Sequence, residues 1–258
     1  MKRRLVSSNW KTGSRKSKLG GMLKVLVLGG TGQTGYHAVN QFLENNIQVK
    51  AIVRNAEKLK DTRSDKNLEI YVGSILDIKD NVLKEILSDV DAVISCLGHN
   101  ISLKGMFGKP HYLVTDAIKQ IVKNSNDKNL KKIVLMNTTA SLNTEQKEKF
   151  TFGESIVMGI MRSLLPPQRD NDRALKYLEE NIGADSILEW VAVRPDTLIS
   201  QDQVTEYELF ESPQRSPIFD AGKTSRINVA NFMLKLVSNA ELWNEWKFKT
   251  PVIYNKEI

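Results

Sequence analysis

Apolar residues fall along this chain in two rhythms. Short apolar-rich runs at 24–28, 48–54, 68–72, 92–97, 132–137 and 188–194 each have the length of a strand. The most apolar of them, such as Ile133-Val134-Leu135-Met136, need cover on both faces. Between the runs, apolar positions take helical spacing: Val39, Phe42 and Leu43 over 35–44, then Leu113, Ile118, Ile121 and Val122 over 111–123. Asn45-Asn46 closes the first of these, and shorter helices are expected at 82–87 and 174–181. Strands that alternate with helices imply right-handed crossovers and a doubly wound parallel sheet, an α/β fold.

The first strand runs into Gly29-Gly30-Thr31-Gly32-Gln33-Thr34-Gly35. Gly30, Gly32 and Gly35 have the G-x-G-x-x-G spacing between a buried strand and a helix, which predicts a Rossmann-like dinucleotide site. In that reading Gly30 permits the tight turn and Gly32 lets backbone approach a pyrophosphate. Gly35 lets the helix pack closely, so that its first N–H groups, with Thr31, Gln33 and Thr34, face the phosphates. An NAD site would carry an acid at the end of the second strand; here Val53-Arg54-Asn55 stands there. Arg54 suits a 2′-phosphate, Lys58 lies close by, and NADP(H) is the expected coenzyme.

The irregular stretches fall late, at about 100–110, 140–172 and 197–226, where substrate specificity is expected beyond the carboxyl ends of the strands. Residues 155–165 are unusually apolar. They read first as a core-packing helix, with a lid or a contact between copies as the alternatives.

Charge changes the picture in one place. Residues 1–21 hold seven basic residues and no acid; without them 30 basic residues face 30 acidic ones. The body from Met22 onward, 22–258, is therefore neutral and reads as one domain, which argues against a nucleic-acid-binding face. Residues 1–21 read as a basic, disordered extension, with a targeting segment as an alternative. No apolar run reaches the length of a membrane span. The single cysteine, Cys96, fits a reducing compartment. The cytoplasm is expected, and import into an organelle through residues 1–21 stays open.

The chain resembles the atypical short-chain dehydrogenase/reductases of the NAD(P)H-binding group, which includes NmrA-like proteins and flavin reductases of the biliverdin reductase B type. The matching segments are GGTGQTG at 29–35, AIVRN at 51–55, GSILD at 73–77 and AVISCLG at 92–98. IVLMNTTA at 133–140, DRALKYLEEN at 172–181, VAVRPDTL at 191–198 and SRINVANFML at 225–234 continue the likeness. The resemblance implies that Asp77 contacts the adenine amino group with Ile78 beside the ring, and that Gly98 passes near the ribose. It also implies that Thr138 and Thr139 lie near the nicotinamide, and that Pro195 shapes the turn holding its amide. Lys176 aligns with a lysine of several relatives.

A typical member uses Tyr-x-x-x-Lys for proton exchange. No tyrosine here has a lysine four residues on, since Tyr36, Tyr71, Tyr112, Tyr177, Tyr207 and Tyr254 are followed by Asn40, Ile75, Asp116, Asn181, Glu211 and Ile258. Thr138, Thr139 and Lys176 are left as the candidate catalytic residues. Cys96 and His99 offer too few ligands for a metal, and none is expected. The expected function is hydride transfer from NADPH to a small conjugated, quinone- or flavin-like acceptor, where holding the reactants together suffices. A non-catalytic NADP(H) sensor or assembly factor is the alternative.

Overall fold

In the computed structural model, which describes residues 3–6, 22–62, 64–99, 110–125, 129–143, 146–164 and 166–256, the core is divided by the parity of one strand. The strands are β1 (Arg3–Val6), β2 (Lys24–Leu28), β3 (Gln48–Val53), β4 (Leu68–Val72), β5 (Ala92–Ser95), β6 (Lys132–Met136), β7 (Glu189–Pro195), β8 (Thr197–Ile199), β9 (Tyr207–Phe210), β10 (Lys223–Ser225) and β11 (Val252–Asn255). The helices are α1 (Gln33–Glu44), α2 (Asp80–Leu87), α3 (Leu113–Asn124), α4 (Phe152–Leu164), α5 (Pro166–Asn181), α6 (Arg226–Ser238) and α7 (Ala240–Trp246). Successive side chains of a strand point to opposite faces. Val25 and Val27 of β2 therefore pack with Phe42 of α1 and Phe232 of α6, whereas Leu26 and Leu28 pack with Leu83 of α2, Ile118 of α3 and Leu178 of α5. Both faces of the sheet are closed, which is why the runs read as continuously apolar.

Among the described residues nine strands form one sheet in the order β4-β3-β2-β5-β6-β7-β11-β9-β1. From β4 to β11 the neighbours are parallel. The chain goes from β2 outward to β4, then crosses back to lay β5 on the other side of β2. That reversal opens a crevice above the carboxyl ends of β2 and β5, where such sheets take ligands. All six strands expected from the sequence are present, and the Rossmann-like α/β fold is as expected.

Three features depart from the pattern reading. β9 and β1 add an antiparallel edge beyond β11, and β8 pairs with β10 apart from the main sheet. These strands of three or four residues are too short to show a period. Within the extension expected to lack structure, Arg3–Val6 pairs with Tyr207–Phe210; residues 7–21 lie outside the described residues. The apolar segment 155–165 falls largely in α4, yet α4 is not a core helix. Met158 is buried, while Phe152, Ile156 and Ile160 are exposed on one stripe. Thr151 and Glu154 cap its start reciprocally, with Thr151 N–H donating to Glu154 at 2.8 Å.

Removal of residues 2–21 strips β1 from the outer edge of β9 and leaves the parallel sheet whole. The shortened protein is expected to keep its far-ultraviolet spectrum and to bind NADPH as the full chain does. Loss of coenzyme binding would show that the extension supports the crevice.

Candidate coenzyme crevice and catalytic end

The turn after β2 is set by two glycines that touch. Gly29 has φ +76°, and a Cβ there would lie 2.7 Å from the Cys96 carbonyl oxygen at the end of β5. A Cβ on Gly35 would overlap the Gly29 carbonyl oxygen and lie 2.7 Å from its carbon. Gly30 is less constrained, since its Cβ would meet side chains and no backbone, the nearest being Val39 at 3.1 Å. The tight turn expected at Gly30 is therefore made by Gly29, where the left-handed backbone is needed. The close packing expected at Gly35 is present.

Gly32 donates its N–H to Gly29 O at 2.8 Å and caps α1, with no side chain on the helix end and no acid in its first turn. The first N–H groups of α1 thus remain available to an anion. Thr31 and Gly32 face the crevice, whereas the Thr34 side chain is buried and can offer only backbone. These observations fit a dinucleotide pyrophosphate.

The crevice, about 190 Å³, runs over the ends of four strands. Arg54 and Lys58 line it with Thr31 and Gly32. Arg54 directly follows β3, and Lys58 lies on a 3-10 turn (Ala56–Leu59) whose first N–H groups include one bound by the Asn55 side chain. Neither basic residue is in an ion pair among the described residues. At the end of β4 the wall is Gly73, Ser74 and Ile75. Asp77 donates its N–H to Ser74 O and lies exposed on the far side of that turn, while Ile78 packs against the core. Ser74 and Ile75 line this end of the crevice, and Asp77 and Ile78 are not among its lining residues. Leu97 and Gly98 line the opposite wall.

At the catalytic end the expected residues part company. Thr139 is buried; its N–H donates to Pro195 O at 3.2 Å and its hydroxyl to Asp196. Thr138 is half-buried, and its hydroxyl accepts the Ala140 N–H at 3.3 Å. Lys176 is not part of this end: its side chain is 69% exposed and reaches Glu180 across one turn of α5. Asp170, Ala174 and Leu178 form the inward stripe of α5, and position 176 falls opposite them.

Three arrangements here were missed in the sequence. Asp196 accepts the Gly222 N–H at 2.9 Å, and burial pushes its carboxyl above the ordinary value. Arg194 is fully buried and forks onto Glu148 at 2.6 and 2.8 Å, with further bonds to the carbonyls of Ser141 and Thr250. It ties the loop after β6 to β7 and to the chain before β11. His99, weighed in the sequence only as a metal ligand, bonds through Nε2 to Asp170 at 2.9 Å. Burial pushes the Asp170 carboxyl up, but hydrogen bonds from His99, Thr115 and Val114 outweigh it and hold the carboxyl below its ordinary value. Cys96 is an inert core thiol, pushed up to about 12 by burial. Among the described residues no cluster could hold a metal ion, and no helix is long and apolar enough to cross a membrane.

Comparison with known proteins agrees with this geometry. The chain belongs to the NAD(P)H-binding family, whose model matches residues 29–240. It is 40% identical over 76 residues to an uncharacterized chloroplastic protein of Arabidopsis thaliana; the match covers 29% of this chain and 27% of that protein. The anaerobillin reductase ChuY of Escherichia coli O157:H7 has the same fold, with TM-score 0.64 and 15% identity over 91% of this chain and 98% of that one. A short-chain dehydrogenase/reductase from Veillonella parvula in complex with NADP gives TM-score 0.64 and 13% identity over 90% and 94%. A candidate NADH-flavin reductase of Streptococcus pneumoniae gives 0.66 and 16% over 91% and 100%. The protein is thus an NAD(P)H-binding chain with the fold of these reductases.

Two outcomes follow from the turn and from Asp170. Gly35→Ala and Gly29→Ala are expected to lose NADPH binding at least tenfold, and Gly30→Ala to lose much less, by calorimetric titration. Asp170→Asn leaves four donors facing a poorer acceptor and is expected to cost about 3 kcal/mol near neutrality. A carboxyl lowered in the folded state gives its stabilisation above the unfolded pKa and loses it as pH falls through the folded one. The gap in Tm between Asp170→Asn and wild type should therefore close as pH drops below the ordinary carboxylate range.

Proposed function

We propose that this protein is an NADPH-dependent reductase that passes hydride to a small conjugated, quinone- or flavin-like acceptor. The observation that carries the coenzyme choice is Arg54, which shares the crevice wall with Thr31 and Gly32 at a strand end without an acid. A guanidinium there grips a 2′-phosphate in two places, and Lys58 adds a less directed charge. NADH lacks the phosphate and finds no carboxylate for its free hydroxyl. The flavin and bilin reductases among its structural neighbours support the acceptor class. The chloroplast location of the Arabidopsis relative supports organellar import through residues 1–21.

When bound, the coenzyme supplies a hydride at its nicotinamide ring. The chain's own part is to hold the coenzyme by the turn and Arg54, to offer Thr138 as a hydrogen-bond donor, and to keep water out. Arg194 and its partner Glu148 serve the last task by fixing the loop after β6 against β7.

Titration of both coenzymes into wild type and Arg54→Gln tests the coenzyme choice. NADPH is expected to bind roughly 10- to 150-fold tighter than NADH, from about 1.5–3 kcal/mol for a charge-assisted contact, and Arg54→Gln to narrow the ratio. An unchanged ratio removes Arg54 from the site. NADPH oxidation with a panel of quinones, flavins and enones tests the reaction. Tight binding without turnover would instead make the chain a sensor of NADP(H).

A further inference from the structure

A second cavity, about 630 Å³ and open to solvent, adjoins the crevice across Thr31, Gly32 and Lys58, which line both. Its wall includes Arg226, the first residue of α6. The small sheet brings that side chain there. β8 and β10 pair in parallel with Ile199 opposite Ser225, so Ser200 and Arg226 leave the two strands side by side. Arg226 donates through Nη1 to Ser200 Oγ at 3.2 Å and makes no ion pair among the described residues. Gln41 ties the start of α6 to α1, donating to Ile227 O at 3.0 Å and accepting from Asn231 at 3.1 Å. Arg226 therefore has a fixed place relative to the glycine turn.

A cation is unfavourable at this position. The start of a helix carries partial positive charge and favours anions. α6 has no acid in its first turn, and its cap is the neutral Ser225. α1 begins on the same cavity, with Gly32 and Gln33 in the wall and no acid in its first turn. Lys58 and Lys60 add two cations from the 3-10 turn and the residue after it, while Glu57 and Asp61 are the acids of the wall. With Arg54 next door, four cations and two carboxylates line the two joined spaces. His37, also in the wall, registers Arg226: burial lowers its pKa first and Arg226 lowers it further, against a smaller rise from Asp202.

We propose that Arg226 is a second specificity-determining residue for the coenzyme, holding the adenosine 2′-phosphate from the α6 side while Arg54 holds it from the end of β3; this rests on the NADPH reading above. A phosphate presents three acceptor oxygens, and one guanidinium fork takes two of them. The third is left for a donor on the other side, where the two spaces meet at Thr31, Gly32 and Lys58. The anion in turn offsets the cation at the start of α6. NADH brings a neutral hydroxyl to the same place and supplies neither the charge nor the third acceptor. Arg226 thus adds to the discrimination between coenzymes and not to the affinity they share.

The test uses the full chain with Arg226→Gln, Arg226→Lys and Arg54→Gln, titrated calorimetrically with NADPH and NADH. Arg226→Gln is expected to weaken NADPH about tenfold and to leave NADH within about twofold of wild type. Arg226→Lys keeps the charge but not the fork, and is expected to weaken NADPH alone by about threefold. An unchanged ratio in Arg226→Gln, with Arg54→Gln lowering it, overturns this proposal and leaves the NADPH reading standing. Equal weakening of both coenzymes by Arg226→Gln also overturns it, since a role in the fold or at the pyrophosphate would do that. A wild type that binds both coenzymes equally overturns the NADPH reading and this proposal with it. A measurement on wild type stands even if the variants fail to fold. Proton NMR follows His37 through a pH titration with 2′,5′-ADP or 5′-AMP bound, and His37→Gln identifies its signals. A phosphate at Arg226 cancels the repulsion on the imidazolium, so 2′,5′-ADP is expected to move the titration to higher pH than 5′-AMP does. Equal titrations with the two nucleotides overturn the proposal.

Discussion

The closest constraint in the molecule is the contact between Gly35 at the start of α1 and Gly29 at the end of β2. It leaves no room for a single methyl group. With the helix seated this low, its open N–H groups stand directly over the carboxyl end of β2. Gly29 in turn passes so near the Cys96 carbonyl that β5 is held at a fixed height beside it. The floor of the crevice is therefore defined by backbone alone, and side chains only decorate it. Arg54 and Ser74 gain their positions because β3 and β4 are in parallel register with β2 and end at the same level.

The far side of the site is built by a different means. Polar side chains tie loops to strand ends, each pair with one buried member: Arg194 to Glu148, Thr139 to Asp196, Asp170 to His99. Buried charge of this kind is costly to leave unpaired, at roughly 3–5 kcal/mol when one partner is removed. It gains little over apolar packing in stability, but it is directional. Loops with few apolar residues are thereby given one arrangement instead of many.

This contrast explains what the sequence disclosed. The apolar runs and the glycine spacing reveal β2, α1 and the crevice because the interactions there are local and periodic. The pairing of His99 with Asp170 links positions 71 apart and has no period, so nothing in the sequence marks it. Ser74 went unnoticed because the turn that joins it to Asp77 carries no periodic pattern. Lys176 is the instructive case, because Leu175 and Leu178 already mark the inward stripe of α5 and leave position 176 on the solvent side. Helical phase could have removed it. The strands β9 and β11 escaped notice because four residues are too few for alternation to register.

The division also orders the molecule in time. Apart from Leu113, the residues that line the crevice lie between Leu28 and Gly98, a continuous stretch of chain. As synthesis proceeds from the N-terminus, β2, β3, β4 and β5 can associate long before β7 exists. The ties at Arg194 and Asp196, and the pairing of β1 with β9, must wait for the last third of the chain. A nascent chain that already holds coenzyme would carry a finished half-sheet as the template on which the later strands are laid.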